Sequence, residues 1–388
     1  MTNPKVLSLF SGAGGLDIGF ERNGFDVVAA CEIEPIFCKT LQSNQGWIHS
    51  DSNRYFKGTE IINDDIANVD FSKFKKIDCI IGGPPCQSFS SSGKQLSVLD
   101  NRGNLVYQFC RAISEVNPKA FLFENVRGIV TARDHNGRPG GVIQEIFRQL
   151  EDLGYSCRAS LLNSADFGSY QRRVRCFILG VKNGTVPEFP DPSHCDFSKG
   201  ANLFNEPWKT LKEFLTKFSD QDQANWVYPT VDLAKQLEGL PEGTGLKSVG
   251  VSEPTRPNGH WGYRQGTFIA NTALPARTVT GSSSQDWIRW NGILRRLTLL
   301  EVKRLQGFPD DWVICGNKAE IFKQIGNAVP TVFGEILAST IKDYLEKNYR
   351  SKPVALGFPK DFWKYIDYTI RDHERNKSAR KIHQKFES

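Results

Sequence analysis

Along the first half of the chain, short apolar runs alternate with stretches whose apolar residues recur at helical spacing. Five runs stand out: residues 6–10, 27–31, a short one around Ile61, 77–81 and 120–123. Strands that arrive singly, each followed by a helical pattern, predict parallel pairing through crossover helices. Two further runs, 156–162 and 174–181, have no helical pattern between them and predict an antiparallel hairpin closing the sheet. From about residue 185 the periodicity breaks down. Pro187, Pro190, Pro192, Pro207 and a Gly-rich stretch at 238–250 predict a second, irregular lobe. Helical spacing returns at 295–306 and again after Pro330, where Val332, Ile336, Leu337, Ile341 and Leu345 are expected to share the apolar face. The expected division is a sheet unit over 1–184, the irregular lobe over 185–271, a return to the sheet unit over 272–350, and a basic tail over 351–388. The tail, with eight Lys and Arg from Lys360 to Lys385, reads as a solvated segment, the alternative being an arm for nucleic-acid phosphates.

Composition narrows the class. At 388 residues with 39% apolar positions, the chain is globular rather than disordered, with room for two or three lobes. The net charge of +6 is compatible with a polyanionic partner without establishing one. Nine cysteines, no C-x-x-C pair and six histidines argue for a reducing compartment and against a structural zinc site. No apolar run approaches the roughly 20 residues of a membrane span, so a soluble, cytoplasmic protein is expected.

The chemistry gathers at strand ends. LSLFSGAGGLDIGF places Gly12, Gly14 and Gly15 in the turn after the first strand, where backbone N–H groups at a helix N-terminus can meet a ligand. The glycine fingerprint of dinucleotide sites is incomplete, since its last position is Asp17. Glu32 and Asp65 end the second and third strands, at the edge where open α/β sheets bind ligands, and Glu32 is suited to ribose hydroxyls. The fourth strand runs into GGPPCQSFSSSGK and delivers Cys86 to the same edge. The Ser/Gly-rich segment 88–103, with Lys94 and Arg102, reads as a loop able to close over a substrate. FENVRG brings Glu124, a carboxyl whose pKa burial would raise. The hairpin connection presents Gln171, Arg172, Arg173 and Arg175, donors matched to carbonyl and phosphate oxygens.

A thiol, an acid and an arginine fork beside a nucleoside pocket resemble the active site of the DNA (cytosine-5)-methyltransferases of the prokaryotic restriction-modification type. The resemblance rests on an ordered set: FSGAGG, Glu32, GGPPCQSFSSSGK, FENV, QRRVR, RRLTLLEVKRLQGFPDDW and QIGNAVP. It implies an α/β fold with a Rossmann-like S-adenosylmethionine-dependent domain, its mostly parallel sheet closed by an antiparallel hairpin, and a smaller target-recognition lobe at 185–271. It implies a cofactor pocket of Phe10, Gly12, Gly14, Gly15, Leu16, Glu32, Ile33, Asp65, Ile66, Pro85 and Asn327. Cys86 would be the nucleophile, Glu124 the partner of cytosine N3, and Arg175 the donor to O2, supported by Arg173. Gln87, Ser88, Lys94, Arg102 and Thr278 would face double-stranded DNA, Thr278 with Val279 forming the family's Thr-aliphatic pair. No metal is implied. A monomer with a cognate restriction endonuclease as functional partner completes the expectation.

The chemistry stands without the family. Cytosine C5 is too electron-poor to accept a methyl group unaided; thiolate addition at C6, proton donation to N3 and polarisation of O2 give it enamine character. A base stacked in a duplex must be extruded for this. A tRNA cytosine-5 methyltransferase is the nearest alternative, disfavoured because a lobe of this length suits duplex readout. A catalytically inactive DNA-binding regulator is another, opposed by Cys86, Glu124 and Arg175 all being present.

Overall fold

A computed structural model describes residues 2–85, 105–134, 137–199, 204–246 and 267–347. Seven strands, β1 (Lys5–Leu9), β2 (Asp26–Glu32), β3 (Glu60–Asn63), β4 (Cys79–Gly82), β5 (Ala120–Val126), β6 (Ser156–Asn163) and β7 (Val174–Val181), form one sheet in the order β3-β2-β1-β4-β5-β7-β6. The first five pair in parallel. β7 runs antiparallel to both β5 and β6, as the unbroken apolar runs predict. Each predicted strand is found within about three residues of its expected ends. The carboxyl ends of β1, β2, β4 and β5 therefore line one edge.

Side chains alternate across this sheet and bury both faces. Leu7, Leu9, Ile80, Phe121 and Phe123 meet α3 (Leu105–Val116) and α4 (Gly141–Asp152) on one side. Val6, Ile81, Leu122 and Phe177 face α1 (Gly15–Arg22), α2 (Pro35–Ser43) and α9 (Thr331–Lys347) on the other. Each fully buried aliphatic or aromatic side chain contributes roughly 1.5–3 kcal/mol, so the two-faced burial holds the edge rigid.

The crossover after β3 departs from the expected helix. Two 3-10 turns, Ile66–Asn68 and Phe71–Lys73, stand there. Asp65 and Asp70 each accept a backbone N–H two residues on, at 2.9 Å, and such local caps favour tight turns over a continued helix.

The lobe expected to be irregular is more ordered than its prolines suggested. A pair of two-residue strands, β8 (His194–Cys195) and β9 (Glu206–Pro207), precedes α5 (Leu211–Phe218) and α6 (Val231–Glu238). The strands β10 (Thr244–Gly245), β11 (Phe268–Ile269), β12 (Trp287–Trp290) and β13 (Ile293–Arg296) then form a small sheet. Thr210 and Glu213 start α5 with a capping box, and Leu211, Phe214 and Leu215 face its core. Helices of eight residues carry too few turns for periodicity to show.

Helical spacing from residue 295 is likewise corrected. Arg295 belongs to β13, and the helix α7 (Leu299–Leu305) starts only after Thr298, whose capping box with Glu301 forms its first turn. α8 (Lys318–Asn327) follows. On α9 the buried stripe is Phe333, Gly334, Leu337, Ala338, Ile341 and Tyr344. Val332, Ile336 and Leu345 lie at its margins, because the seam is centred where Gly334 meets α1. No helix among the described residues is long and apolar enough to cross a membrane.

Candidate active site at the carboxyl edge of the sheet

The turn after β1 departs from ordinary backbone at Phe10, whose φ is 56°, and at Gly12 and Gly14, with φ of 58° and 85°. A non-glycine residue held at positive φ is strained and marks a built turn. Gly12 N–H donates to Glu32 Oε2 at 2.9 Å, and Glu34 N–H to Oε1 at 3.0 Å. This pins the carboxylate at the end of β2. Burial raises the Glu32 pKa, against the pull of those backbone N–H groups.

A Cβ on Gly15 would lie 2.3 Å from the Val329 carbonyl oxygen. Only glycine lets the segment after α8 cross the first turn of α1. That contact carries exposed Asn327 to the rim from the far end of the chain. Beyond Glu32, Ile33 is 59% exposed, an unusual state for an isoleucine, and Asp65 is exposed two residues past the end of β3, where it caps the first 3-10 turn. The side chains of Leu16 and Ile66 point into the core instead, leaving their backbone as what they present. Ile66's carbonyl accepts from Arg111 at 2.7 Å.

Between β4 and β5, Gly83 and Glu124 are in close register. A Cβ on Gly83 would fall 2.4 Å from Glu124 Oε2. Asn125 Nδ2 donates to the Pro84 carbonyl at 3.0 Å and fixes the double-proline turn, of which Pro85 is exposed. Arg175 Nε lies 2.9 Å from Glu124 Oε1, with the side chains 13% and 11% exposed. Burial nevertheless moves the Glu124 carboxyl above the usual range, opposed by the charges of Arg175 and Arg173. A carboxyl whose pKa is raised and whose orientation an arginine fixes is suited to giving up a proton in one direction.

Arg173 does something different. It is 1% exposed and donates to the carbonyls of Val279 at 2.9 Å and Gly326 at 2.7 Å, so what it offers the acid is charge rather than contact. Thr278 is exposed, its hydroxyl donating to the Arg172 carbonyl at 2.8 Å. Cys86, Gln87, Ser88, Lys94, Arg102 and the tail from residue 351 lie outside the described residues.

Sequence reading missed the supports. Gln171 is wholly buried rather than displayed, and Gly83 and Asn125 act by shape and by holding backbone; their place inside GGPPCQSFSSSGK and FENV was the available signal. Asp17, noted only as a break in the glycine pattern, is 1% exposed. Burial pushes its carboxyl up to about 6, with the Ser8 hydroxyl opposing. No group of metal-ligating side chains occurs among the described residues.

A family model of C-5 cytosine-specific DNA methylases matches residues 4–343. The chain belongs to that family. The methylase is 30% identical over 351 residues to the Type II methyltransferase M.FnuDI of Fusobacterium nucleatum, a match covering 90% of this chain and 97% of that one. It is 32% identical over 360 residues to the Type II methyltransferase M.NgoFVII of Neisseria gonorrhoeae, covering 89% and 88%. Its fold is similar to that of the S. pombe Dnmt2 methyltransferase, with a TM-score of 0.61 at 17% identity over 88% of this chain and 98% of that one. It is a DNA (cytosine-5)-methyltransferase of Rossmann-like α/β fold. Methyl transfer in this family implies S-adenosylmethionine, and the residues fit that molecule. Exposed Ile33 suits an apolar ring, the pinned Glu32 carboxylate suits hydroxyls, and the space around Gly12, where a Cβ would meet nothing within 4 Å, leaves the turn's backbone approachable.

Proposed function

We propose that the methylase modifies C5 of one cytosine within a specific sequence of double-stranded DNA, with S-adenosylmethionine as donor. The observation that carries this is the Glu124–Arg175 pair, held at 2.9 Å against Gly83, three residues before Cys86 in sequence. When bound, the cofactor supplies a sulfonium methyl group, the electrophile of the reaction. Phe10, Gly12, Gly14, Gly15, Leu16, Glu32, Ile33, Asp65, Ile66, Pro85 and Asn327 would hold it.

Cys86, as thiolate, adds to C6 of an extruded cytosine. Glu124 gives its proton to N3, and Arg175 polarises O2 while keeping the acid in register. Arg173 supports the pair through its charge. After methylation a water takes the C5 proton, the thiolate departs, and N3 returns its proton to the Glu124 carboxylate, restoring the neutral ring. Gln87, Ser88, Lys94, Arg102 and Thr278 would contact the DNA. Residues 185–271 would select the sequence, on a catalytic unit of 1–184 completed by 272–350. Relatives carrying the Type II name support a role alongside a restriction endonuclease of the same specificity; the proposal places the enzyme in a prokaryotic cytoplasm as a monomer.

The test is a duplex carrying 5-fluorocytosine at the methylated position, found by bisulfite sequencing of DNA from expressing cells. Wild-type protein should form a denaturant-stable adduct in the presence of S-adenosylmethionine, and Cys86→Ala should form none. An adduct on the Cys86→Ala protein, or methylation of RNA alone, would overturn the proposal.

A further inference from the structure

Two buried glutamines run between the segment carrying Thr278 and the segment carrying Asn327. Val279 N–H donates to Gln171 Oε1 at 2.8 Å. Gln171 Nε2 donates to Gln306 Oε1 at 3.0 Å and to the Leu305 carbonyl at 3.3 Å. Gln306 Nε2 donates to the carbonyls of Ile325 at 2.5 Å and Ala328 at 3.3 Å. A backbone N–H at one end and carbonyls at the other allow each amide a single orientation, oxygen toward Val279 and nitrogen toward residue 328. Arg173 spans the same two segments in parallel, from the Val279 carbonyl to that of Gly326.

Gln171, Gln306, Arg173 and Val279 are all no more than 2% exposed, so water cannot stand in for a broken link. The two ends differ from the middle. Thr278 is exposed next to Val279, and Asn327 is exposed between Gly326 and Ala328. A shift of either segment strands a buried donor or acceptor unless the other follows, and stranded buried polar groups are costly.

We infer that Gln171 and Gln306 are positioning residues that couple the DNA-facing segment at Thr278 to the cofactor-facing segment at Asn327, so that DNA binding tightens cofactor binding and the reverse. This rests on the proposed placement of DNA and cofactor at those two segments. The coupling is a free energy shared by both ligands, so it must be equal in each direction.

The experiment measures the dissociation constant of S-adenosylhomocysteine with and without a duplex containing the methylated site, and that of the duplex with and without S-adenosylhomocysteine. For the wild-type protein, each ligand should tighten the other by about tenfold, within the usual range of coupling between sites. Gln306→Met, which keeps length and removes both polar atoms, should cut that factor to about twofold while either ligand alone binds within about threefold of wild type. Gln171→Met should do the same, and the double variant should be no worse than either single one. Should Gln171→Met fail to fold, Gln306→Glu serves in its place, since a second carbonyl-like oxygen facing Ile325 breaks the same link. Unchanged coupling in the variants, additive losses, or wild-type coupling near onefold would each overturn the inference. Failure of the wild-type protein to bind S-adenosylhomocysteine at all would instead overturn the proposed function beneath it.

Discussion

A Cβ placed on Gly19 would lie 2.4 Å from the carbonyl carbon of Gly334, so α1 and α9 meet through bare backbone. No other residue pair would allow helices from opposite ends of the chain to approach this closely. The contact sets the height of α9, and with it the segment that crosses Gly15. Gly334→Ala should therefore cost about 1–3 kcal/mol through overpacking, read by chemical denaturation. It should also weaken S-adenosylhomocysteine binding, because Val329 is displaced from α1. Full retention of both would show that the helices can part without consequence.

Gly83→Ala isolates a positional effect on the acid. The added methyl would enter the space of Glu124 Oε2, 2.4 Å away, and the side chain must swing from Arg175. The single-turnover methylation rate should fall on the order of 100-fold, as for other small misplacements of a catalytic group, with duplex affinity little changed. A rate within twofold of wild type would mean that Glu124 tolerates displacement and is not the proton donor.

The direction of the Glu124 shift fixes a pH profile. Its carboxyl is raised by burial, and the protonated form is the one proposed to donate. The alkaline limb of the single-turnover profile should then decline as pH rises through that pKa, while protonation of the Cys86 thiolate sets the acid limb. Glu124→Gln should remove this alkaline decline and slow the reaction by roughly 10²–10⁴-fold. Persistence of the same decline in Glu124→Gln would assign it to another group.

Asp17 gives a stability prediction of opposite character. Burial pushes its pKa up to about 6 in the folded protein, from 3.8 for a free aspartate, so the folded state holds this proton more tightly than the unfolded one. Stability from this group is present below pH 3.8 and is lost as pH rises through 6. Asp17→Asn should therefore stabilise the protein at pH 8 by up to about 3 kcal/mol, with the gain disappearing toward pH 4. Denaturation midpoints at the two pH values check this; an equal effect at both would exclude the buried charge as its source.

Much of this site was legible in the sequence, for a physical reason. Parallel strands end at one edge, so Gly12, Glu32 and Glu124, each closing an apolar run, had to share it. The hairpin was equally clear, since the 156–162 and 174–181 runs have nothing helical between them. What stayed hidden depends on contacts between distant positions. Gln171 and Arg173 read as displayed polar residues because sequence gives no sign that residues 279 and 326 would bury them. The apolar face of α9 was rotated for the same reason: hydropathy favours Val332 and Ile336, whereas packing selects Gly334 for what it lacks. α5 and α6 were lost among prolines, being too short to carry a rhythm.

The crossing of Val329 over Gly15 also sets a timetable for the newborn enzyme. Gly15 and Val329 lie more than 300 positions apart, and the emerging polypeptide is made from its N-terminus. A ribosome must translate past Val329, and through most of α9, before that crossing can form. A message broken upstream of that codon would therefore yield a chain whose Gly15 turn is left uncrossed.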